Sequence, residues 1–292
     1  MEIAQVSVVV VSFNSANCLA TCIENILASR DISVEVIVVD NASRDQSVGV
    51  TQELAAQDTR IRIVAHGENL GFAAACNRGA AIARYPLLLF LNPDCFVEPD
   101  ALALTVDALR ACPEAAAGGA LVLNPDGRPQ RGCRRRLPNP ARAFHRLSGL
   151  SRWSRGRFQD FNQETEPVAE QPQPVEAISG SYLMIRRSDF DHVGGWDEGY
   201  FLHCEDLDLC QRLADAGRQI LFVSKARATH LQGASSRRTP VRVEWHKHRG
   251  MWRFYRKFQA RRYGFWMSVL VSVGIAAHFL QRAAQSLRAR QQ

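Results

Sequence analysis

The chain has 292 residues, 46% of them hydrophobic and 22% charged, an ordinary globular composition with room for one large domain or two small ones. Its eight cysteines form no C-x-x-C pair, which argues against zinc or thioredoxin-like chemistry and fits buried thiols in a reducing compartment. The formal charge of +7 is uneven: residues 241–292 carry eleven Lys or Arg and one acid, and residues 128–157 carry ten Arg and no acid. Everything outside these two stretches is acidic overall.

Met1-Glu2-Ile3 leads straight into an apolar strand, with no charged n-region before it and no cleavage site behind it, so no secretory signal is expected. Val6–Phe13, Val34–Val39, Ile61–Ala65 and Leu87–Leu91 are nearly continuous apolar runs, the pattern of strands buried on both faces. Helical patterns fall between them near 17–29, 46–57 and 72–84. A β-α-β-α-β-α-β order predicts a mostly parallel sheet flanked by helices. A helix over Asp100–Ala111 and a strand over Ala117–Leu123 follow, ending in the turn Asn124-Pro125-Asp126-Gly127.

From 128 to 174 the chain is rich in Arg, Gln and Pro with weak periodicity, and reads as a long mobile loop with one short helix around 140–150. Order is expected to return with a strand over Val175–Arg186, the turn Val193-Gly194-Gly195-Trp196-Asp197, and a helix from Glu205 to Ala216 stopped by Gly217. Two short strands, Gln219–Val223 and Ala226–His230, complete the catalytic unit, so residues 1–240 form one domain and 241–292 a basic tail.

Strand four ends abruptly in Asn92-Pro93-Asp94, and strand two in Asp40-Asn41-Ala42-Ser43. Ligands of open α/β sheets bind past the carboxyl ends of strands. Acids there suit a hard divalent ion bridged to substrate phosphates. Asn69-Leu70-Gly71-Phe72 opens a helix with a glycine and small residues, which lets a helix N-terminus approach phosphates. Neither G-x-G-x-x-G nor G-x-x-x-x-G-K-S/T occurs, against a dinucleotide dehydrogenase or P-loop enzyme.

In Glu205-Asp206-Leu207-Asp208-Leu209, helical spacing pairs Asp208 with Arg212 and turns Asp206 toward the Leu209 and Leu213 face, with Glu205 at its edge. An acid on an apolar face can be a general base. Carboxylates at a helix start also simply complement its dipole. His230, ending the last strand, is either a core histidine or a metal ligand.

Taken in order, Ser12-Phe13-Asn14, Asp40-Asn41, Asn69 to Gly79, Asn92-Pro93-Asp94, Gly194 to Glu198, Glu205-Asp206-x-Asp208 and His230 resemble the family-2 inverting glycosyltransferases of GT-A fold, in particular their rhamnosyltransferase-like branch. The resemblance implies a Rossmann-like α/β domain over roughly residues 5–235, and an enzyme that moves a sugar from a dTDP or UDP donor, with dTDP-L-rhamnose the best single candidate. It implies that Asp40 reads the pyrimidine base, that Asp94 and His230 bind Mn²⁺ or Mg²⁺, and that Asp206, with Glu205 the alternative, is the base. Ser12, Asn14, Asn41, Asn69, Gly71, Asn77, Asn92 and Trp196 would line the nucleotide-sugar pocket. Many relatives carry D-x-D where this chain has Asn92-Pro93-Asp94, so one carboxylate is missing.

Residues 241–262 read as a helix clustering Arg242, Arg249, Arg253, Arg256 and Lys257 on one arc beside Trp245, Trp252 and Tyr255. With the apolar run Phe265–Leu280, shorter than the ~20 residues of a spanning helix, this predicts attachment to an anionic cytoplasmic leaflet. A packing helix with a solvated basic face is the alternative. By charge alone, Arg131, Arg134, Arg135 and Arg136 are candidates to meet phosphates of a lipid-linked acceptor or of the membrane, and an anionic polysaccharide acceptor fits equally well. A nucleic-acid-binding protein would leave the strand-end acids without a purpose, so no nucleic acid is expected as a partner; an inactive glycan- or membrane-binding module is the other competing reading.

Overall fold

A computed structural model describes residues 3–140, 142, 168–231 and 240–288. The expected helix around 140–150 lies almost wholly outside the described residues. Strands β1 (Ala4–Ser12), β2 (Ile32–Asp40), β3 (Ile61–Ala65) and β4 (Leu87–Leu91) alternate with helices α1 (Ala16–Leu27), α2 (Ser47–Gln57) and α3 (Phe72–Ile82). Then follow β5 (Cys95–Val97), α4 (Ala101–Ala111), β6 (Ala115–Leu123), β7 (Arg134–Arg135), β8 (Gln173–Pro174), β9 (Ala177–Ile178) and β10 (Tyr182–Arg186). The chain closes with α5 (Arg187–His192), α6 (Glu205–Asp215), β11 (Gln219–His230), α7 (Pro240–Phe258) and α8 (Ala260–Arg288).

The main sheet has the order β3-β2-β1-β4-β10-β6-β11-β5, with β8 also pairing β11. Strands β1 to β4 are parallel, β10 runs antiparallel between β4 and β6, and β11 is parallel to β6. This is a GT-A-type α/β architecture. Alternation explains the unbroken valine and leucine runs: Val6, Val8 and Val10 pack into one core with Val36, Val38 and Leu89. Val9 and Val11 pack into a second core, on the other face, with Ile37, Val39 and Phe90.

Register sets the position of the site. Ser12 pairs with Asp40 and Val10 with Leu91, so β1, β2 and β4 end together. Tyr182, at the start of the antiparallel β10, sits opposite Leu91, which places Ser179-Gly180-Ser181 at the same edge. His230 pairs with Cys95 and arrives there too.

Three sequence expectations need correction. The strand read over Val175–Arg186 is two strands, β9 and β10, separated by the Ser179-Gly180-Ser181 bend. The two strands expected between Gln219 and His230 are one, carrying a register shift between Val223 and Arg227; such a bulge keeps a strand continuous while bending it. Finally, the 128–174 segment is not uniformly loose. Gln130 donates its amide to the Val122 carbonyl, and β7 pairs with β9 in a small second sheet.

Candidate active site

The strand ends open into a cleft of about 1440 Å³. Its walls include Asn14, Asn41, Asn69, Gly71, Asn92 and Asp94 from the first half of the chain, and Gly180, Glu205, Asp206 and His230 from the second. Sequence segments more than a hundred residues apart thus converge on one edge of the sheet, the usual ligand position for an open α/β fold.

Asn41 and Asn69 serve as scaffolding. The Asn41 amide donates to Asn69 Oδ1 and the Gly71 carbonyl, both at 3.1 Å, and its oxygen accepts the Leu70 amide at 3.0 Å. Asn14, at φ 52°, accepts the Arg44 amide at 2.8 Å and ties the first and second strand ends together. Gly71 has φ 87°, and a Cβ there would stand 2.7 Å from the Phe201 carbonyl oxygen, so only glycine fits. That same carbonyl accepts the Phe72 amide at 2.8 Å. The start of α3 is therefore partly capped by protein and is less open to a phosphate than its sequence predicted.

Four expected pocket residues do not line the cleft. Ser12 is fully buried behind it. Asp40 is also buried: Oδ1 accepts the Ser43 amide at 2.9 Å, while Oδ2 is shielded from solvent without a partner among the described residues. Asn77 instead clamps the Gly194-Gly195-Trp196 turn, donating to the Trp196 carbonyl and accepting its amide, both at 2.9 Å. Trp196 is core, packed edge-on against Phe72 and Phe90. The turn's Gly-Gly-Trp pattern reflects packing geometry, with Gly194 and Gly195 both at positive φ.

Asp94 and His230 meet as the sequence suggested. His230 Nε2 lies 2.9 Å from Asp94 Oδ1 and 3.3 Å from Asn92 Nδ2, and its Nδ1 lies 2.7 Å from Gln130 Oε1. The Gln130 amide nitrogen donates to Asn124 Oδ1 and to the His230 carbonyl, both at 3.2 Å. That orients Gln130 Oε1 to accept the Nδ1 proton and turns Nε2 to Asp94 Oδ1, as a donor to the carboxylate or, with its proton displaced by a cation, as a ligand beside it. A histidine nitrogen and a carboxylate oxygen so arranged fit a divalent ion, and the outer hydrogen bond fixing the tautomer is the usual companion of a ligating histidine. The described residues contain no cluster of three or more His, Cys, Asp or Glu side chains suited to a metal, so an ion here would draw further ligands from a bound diphosphate.

Also bordering the cleft, α6 begins with Glu205 and Asp206, both buried. His203 and Cys204, immediately before them, take consecutive left-handed conformations, φ 69° and 70°, a strained geometry that surrounding packing must hold. Asp206 Oδ2 is bonded by the Arg135 guanidinium and, at 3.1 Å, by the Gly180 amide; Oδ1 accepts the Leu207 amide at 2.8 Å. Arg135 also donates to the Ile178 carbonyl at 3.0 Å. Burial opposes the charge of Arg135, but attraction to Asp206 outweighs it. Glu205 has no such cation: burial first, then the neighbouring Asp206 charge, push its carboxyl up to about 8.

Sequence reasoning missed Gln130 and left Arg135 undistinguished from its neighbours. The missing signal was strand alternation. In β7, Arg134 turns one way and lies over the Phe222 ring at 5.3 Å, while Arg135 turns the other way to Asp206. Sequence reasoning also assigned α7 to a separate tail, yet Arg242, Val243 and His246 line the same cleft. The helix ends at Phe258 rather than 262, and Arg253 and Lys257 do not belong to a membrane-facing arc. Arg253 pairs with Asp197 at 2.7 Å, and Lys257 bridges Asp197 and Asp208, both at 2.7 Å. The expected Asp208–Arg212 pair is present at 2.6 Å.

A cleft of this size at the carboxyl ends of a GT-A sheet, lined by Asp94, Glu205, Asp206 and His230, defines a glycosyltransferase-like site. The sequence profile described as "Glycosyl transferase family 2" matches residues 7–194, and that of "Glycosyl transferase family group 2" matches residues 144–289. The chain belongs to glycosyl transferase family 2. It is 31% identical to the N-acetylglucosaminyl-diphospho-decaprenol L-rhamnosyltransferase of Mycobacterium tuberculosis, over 90% of this chain and 89% of that protein. A 56-residue stretch, 19% of the chain, is 46% identical to rhamnosyltransferase WbbL of Escherichia coli, covering 21% of that protein. Among solved structures, the mannosyltransferase PcManGT of Pyrobaculum calidifontis in complex with GDP-Man and Mn²⁺ superposes with a TM-score of 0.59 at 18% identity, covering 97% of this chain and 74% of that one. TarS of S. aureus superposes with a TM-score of 0.57 at 14% identity, covering 96% of this chain and 81% of that one.

Proposed function

We propose that the protein is an inverting, metal-assisted glycosyltransferase that moves L-rhamnose from dTDP-L-rhamnose to a hydroxyl of a lipid-diphosphate-linked sugar at a membrane surface. The observation that carries the reading is that one cleft brings Asp94 and His230, 2.9 Å apart, together with Asp206. The rhamnosyl and diphospho-decaprenol specificities rest on the mycobacterial relative.

The donor's base lies toward the ends of β1 and β2, against Asn14, Asn41 and Ser43 of the cleft wall, while Asp40 stays behind that wall and holds the Ser43 amide at 2.9 Å. Asp94 and His230 are the residues that would hold a divalent ion, which when bound neutralises the charge of the departing diphosphate. Asp206 accepts the proton of the acceptor hydroxyl as its oxygen attacks the anomeric carbon. One C–O bond forms on the face opposite the breaking C–O(phosphate) bond, and the nucleoside diphosphate leaves with the electron pair. Glu205 is the poorer base because a carboxyl titrating at about 8 still carries its proton at pH 7.

Peripheral membrane association has independent support. Ala260–Ser286 is long and apolar enough to cross a membrane by length and composition. Yet one side of α8 lies along α7, through Trp245 against Phe279 and the Tyr255–Ser268 hydroxyl contact at 3.1 Å. The other side exposes Phe265, Trp266, Leu270, Val273 and Leu280. Such a half-packed helix suits the plane of the cytoplasmic interface better than a span.

The test is a thermal-shift comparison of dTDP-rhamnose, UDP-glucose, UDP-galactose and GDP-mannose with and without Mn²⁺, on wild type and Asp94→Ala. A metal-dependent stabilisation selective for dTDP-rhamnose and lost in the variant is expected. Equal shifts with every donor, or none, would sink the donor assignment.

A further inference from the structure

The cations on α7 divide into two groups. Arg253 and Lys257 are matched to Asp197 and Asp208, and Lys247 lies 3.8 Å from Glu244. Arg242 is different: it lines the cleft, and no carboxylate among the described residues pairs with it. Its guanidinium carbon lies 5.9 Å from the centroid of Phe201. One helical turn on, His246 stacks on that same ring, 4.3 Å between centroids and 24° between planes. His246 Nδ1 is shielded from solvent without a hydrogen-bond partner among the described residues.

Arg242 and His246 are thus two nitrogen-bearing groups held by one aromatic ring and turned into the cleft. They stand in the first turns of a 19-residue helix with no acid in its first turn, where the helix dipole also favours an anion. The acids lining the cleft are Glu68, Asp94, Glu205 and Asp206, and none of them is paired with Arg242 among the described residues. Of the other arginines that line the cleft, Arg44, Arg131 and Arg135, the last is already committed to Asp206.

Position relative to the membrane completes the argument. Trp245, next to this pair on α7, packs against Phe279 of α8, and Leu280 beside it is 66% exposed. The Arg242 end of the cleft therefore adjoins the apolar face that α8 offers to lipid. A ligand whose anion sits at Arg242 can run its hydrocarbon directly onto that face.

We propose that Arg242 and His246 bind the diphosphate of a polyprenyl-linked acceptor, holding it between the bilayer at α8 and the reacting hydroxyl at Asp206. This rests on the acceptor class given above and assigns it a site. Arginine is suited to bidentate contact with phosphate oxygens, and the Phe201 ring beneath it gives the guanidinium a platform.

The experiment titrates the full chain with geranyl diphosphate by calorimetry, comparing wild type with Arg242→Ala, Arg242→Lys and His246→Ala. Arg242 is exposed on its helix, so its variants leave the fold intact. Affinity should fall at least tenfold in Arg242→Ala and recover in part in Arg242→Lys; unchanged affinity overturns the site. A second arm measures partition onto vesicles containing phosphatidylglycerol. Arg242→Ala should keep at least half of the wild-type partition, whereas a loss matching that for geranyl diphosphate would mean that Arg242 reads lipid headgroups and overturn the assignment. A third arm compares kcat/KM for an acceptor sugar carrying a prenyl diphosphate and for the same sugar as an alkyl glycoside. The ratio should drop at least tenfold in Arg242→Ala. Geranyl diphosphate binding through Arg242 without transfer from any donor would remove the rhamnosyltransfer reading and leave the site standing; transfer with an unchanged ratio would do the reverse.

Discussion

The guanidinium of Arg135 is bonded directly to the carboxylate of Asp206, joining β7 to the first turn of α6 across 71 residues of sequence. Both side chains are mostly shielded from water, at 19% and 13% exposure. The pair does two things: it balances the charge of Asp206, and with the Gly180 amide it holds Oδ2 in place.

Replacing Arg135 by Met should therefore leave a buried carboxylate without its cation. Breaking such a pair from one side costs about 3 kcal/mol of stability. The kinetic signature is more specific. Loss of the cation should move the acidic limb of the kcat/KM profile to higher pH and lower kcat at pH 7 by about a hundredfold, whereas Arg135→Lys should restore part of both. A fall in melting temperature with an unmoved pH profile would show the pair to be purely structural.

Glu205 supplies a pH dependence of stability with a definite sign. Its ordinary carboxyl value is near 4.5, and the fold raises it to about 8. Between those values the folded state holds a proton that the unfolded chain has released, so stability falls as pH rises through that window. The contribution is intact below about 4.5 and lost above about 8. Glu205→Gln should flatten the melting-temperature profile between pH 5 and 8.5, and should retain far more activity than Asp206→Asn, for which a loss of at least a thousandfold in kcat is expected. Comparable losses in the two variants would reassign the base.

Much of this was legible from sequence, for a physical reason. Val6 to Val11 and Leu87 to Leu91 are local patterns, and a buried parallel sheet has few alternatives once they are read. Asp94 stood out because strand ends are predictable places for ligands, whereas His230 read equally as a core histidine and entered through the family resemblance; the two do meet, at 2.9 Å. What escaped depends on long-range register: Gln130 reaches His230 across 100 residues, and no periodicity near Gln130 signals it. Asn77 and Trp196 erred the other way, since a turn clamped by an asparagine amide leaves the same sequence trace as a ligand pocket. The cations of α7 could not be sorted by helical arc alone, because both the catalytic unit and the solvent lie within reach of one arc.

Gln130 should control metal affinity without touching the metal. Gln130→Leu removes the acceptor for His230 Nδ1–H and frees the ring to adopt the other tautomer. Mn²⁺ affinity in the presence of dTDP, read by calorimetry, should weaken 10- to 100-fold, the usual scale for losing such an outer hydrogen bond. Unaltered affinity would mean that His230 does not ligate.

Gly250 tests whether α7 belongs to the catalytic unit. A Cβ at this position would stand 2.7 Å from the His203 carbonyl oxygen and 3.3 Å from Cys204 Cβ. The obstacle is backbone of the strained turn that aims Glu205 and Asp206, so it yields only if the turn or the helix shifts. Gly250→Ala is expected to lower kcat at least tenfold while donor binding, measured by thermal shift with dTDP-rhamnose, stays within twofold. Loss of both together would indicate global unfolding, and loss of neither would show that the tail packs loosely.

The exposed face of α8 makes the last prediction. Trp266 and Leu270 are 82% and 64% exposed and lie one helical turn apart, away from α7. A charge placed there meets water in the free protein and costs the fold little, but it must be dragged into the headgroup region if the helix lies on a bilayer. Trp266→Glu with Leu270→Glu should leave the melting temperature within about 2 °C and reduce partition onto phosphatidylglycerol vesicles at least tenfold. Activity on a water-soluble, short-chain acceptor should persist while activity on a long-chain polyprenyl acceptor in vesicles falls in parallel with binding. Retained vesicle binding in the double variant would instead assign membrane contact to other surfaces, and leave the apolar face of α8 for a protein partner.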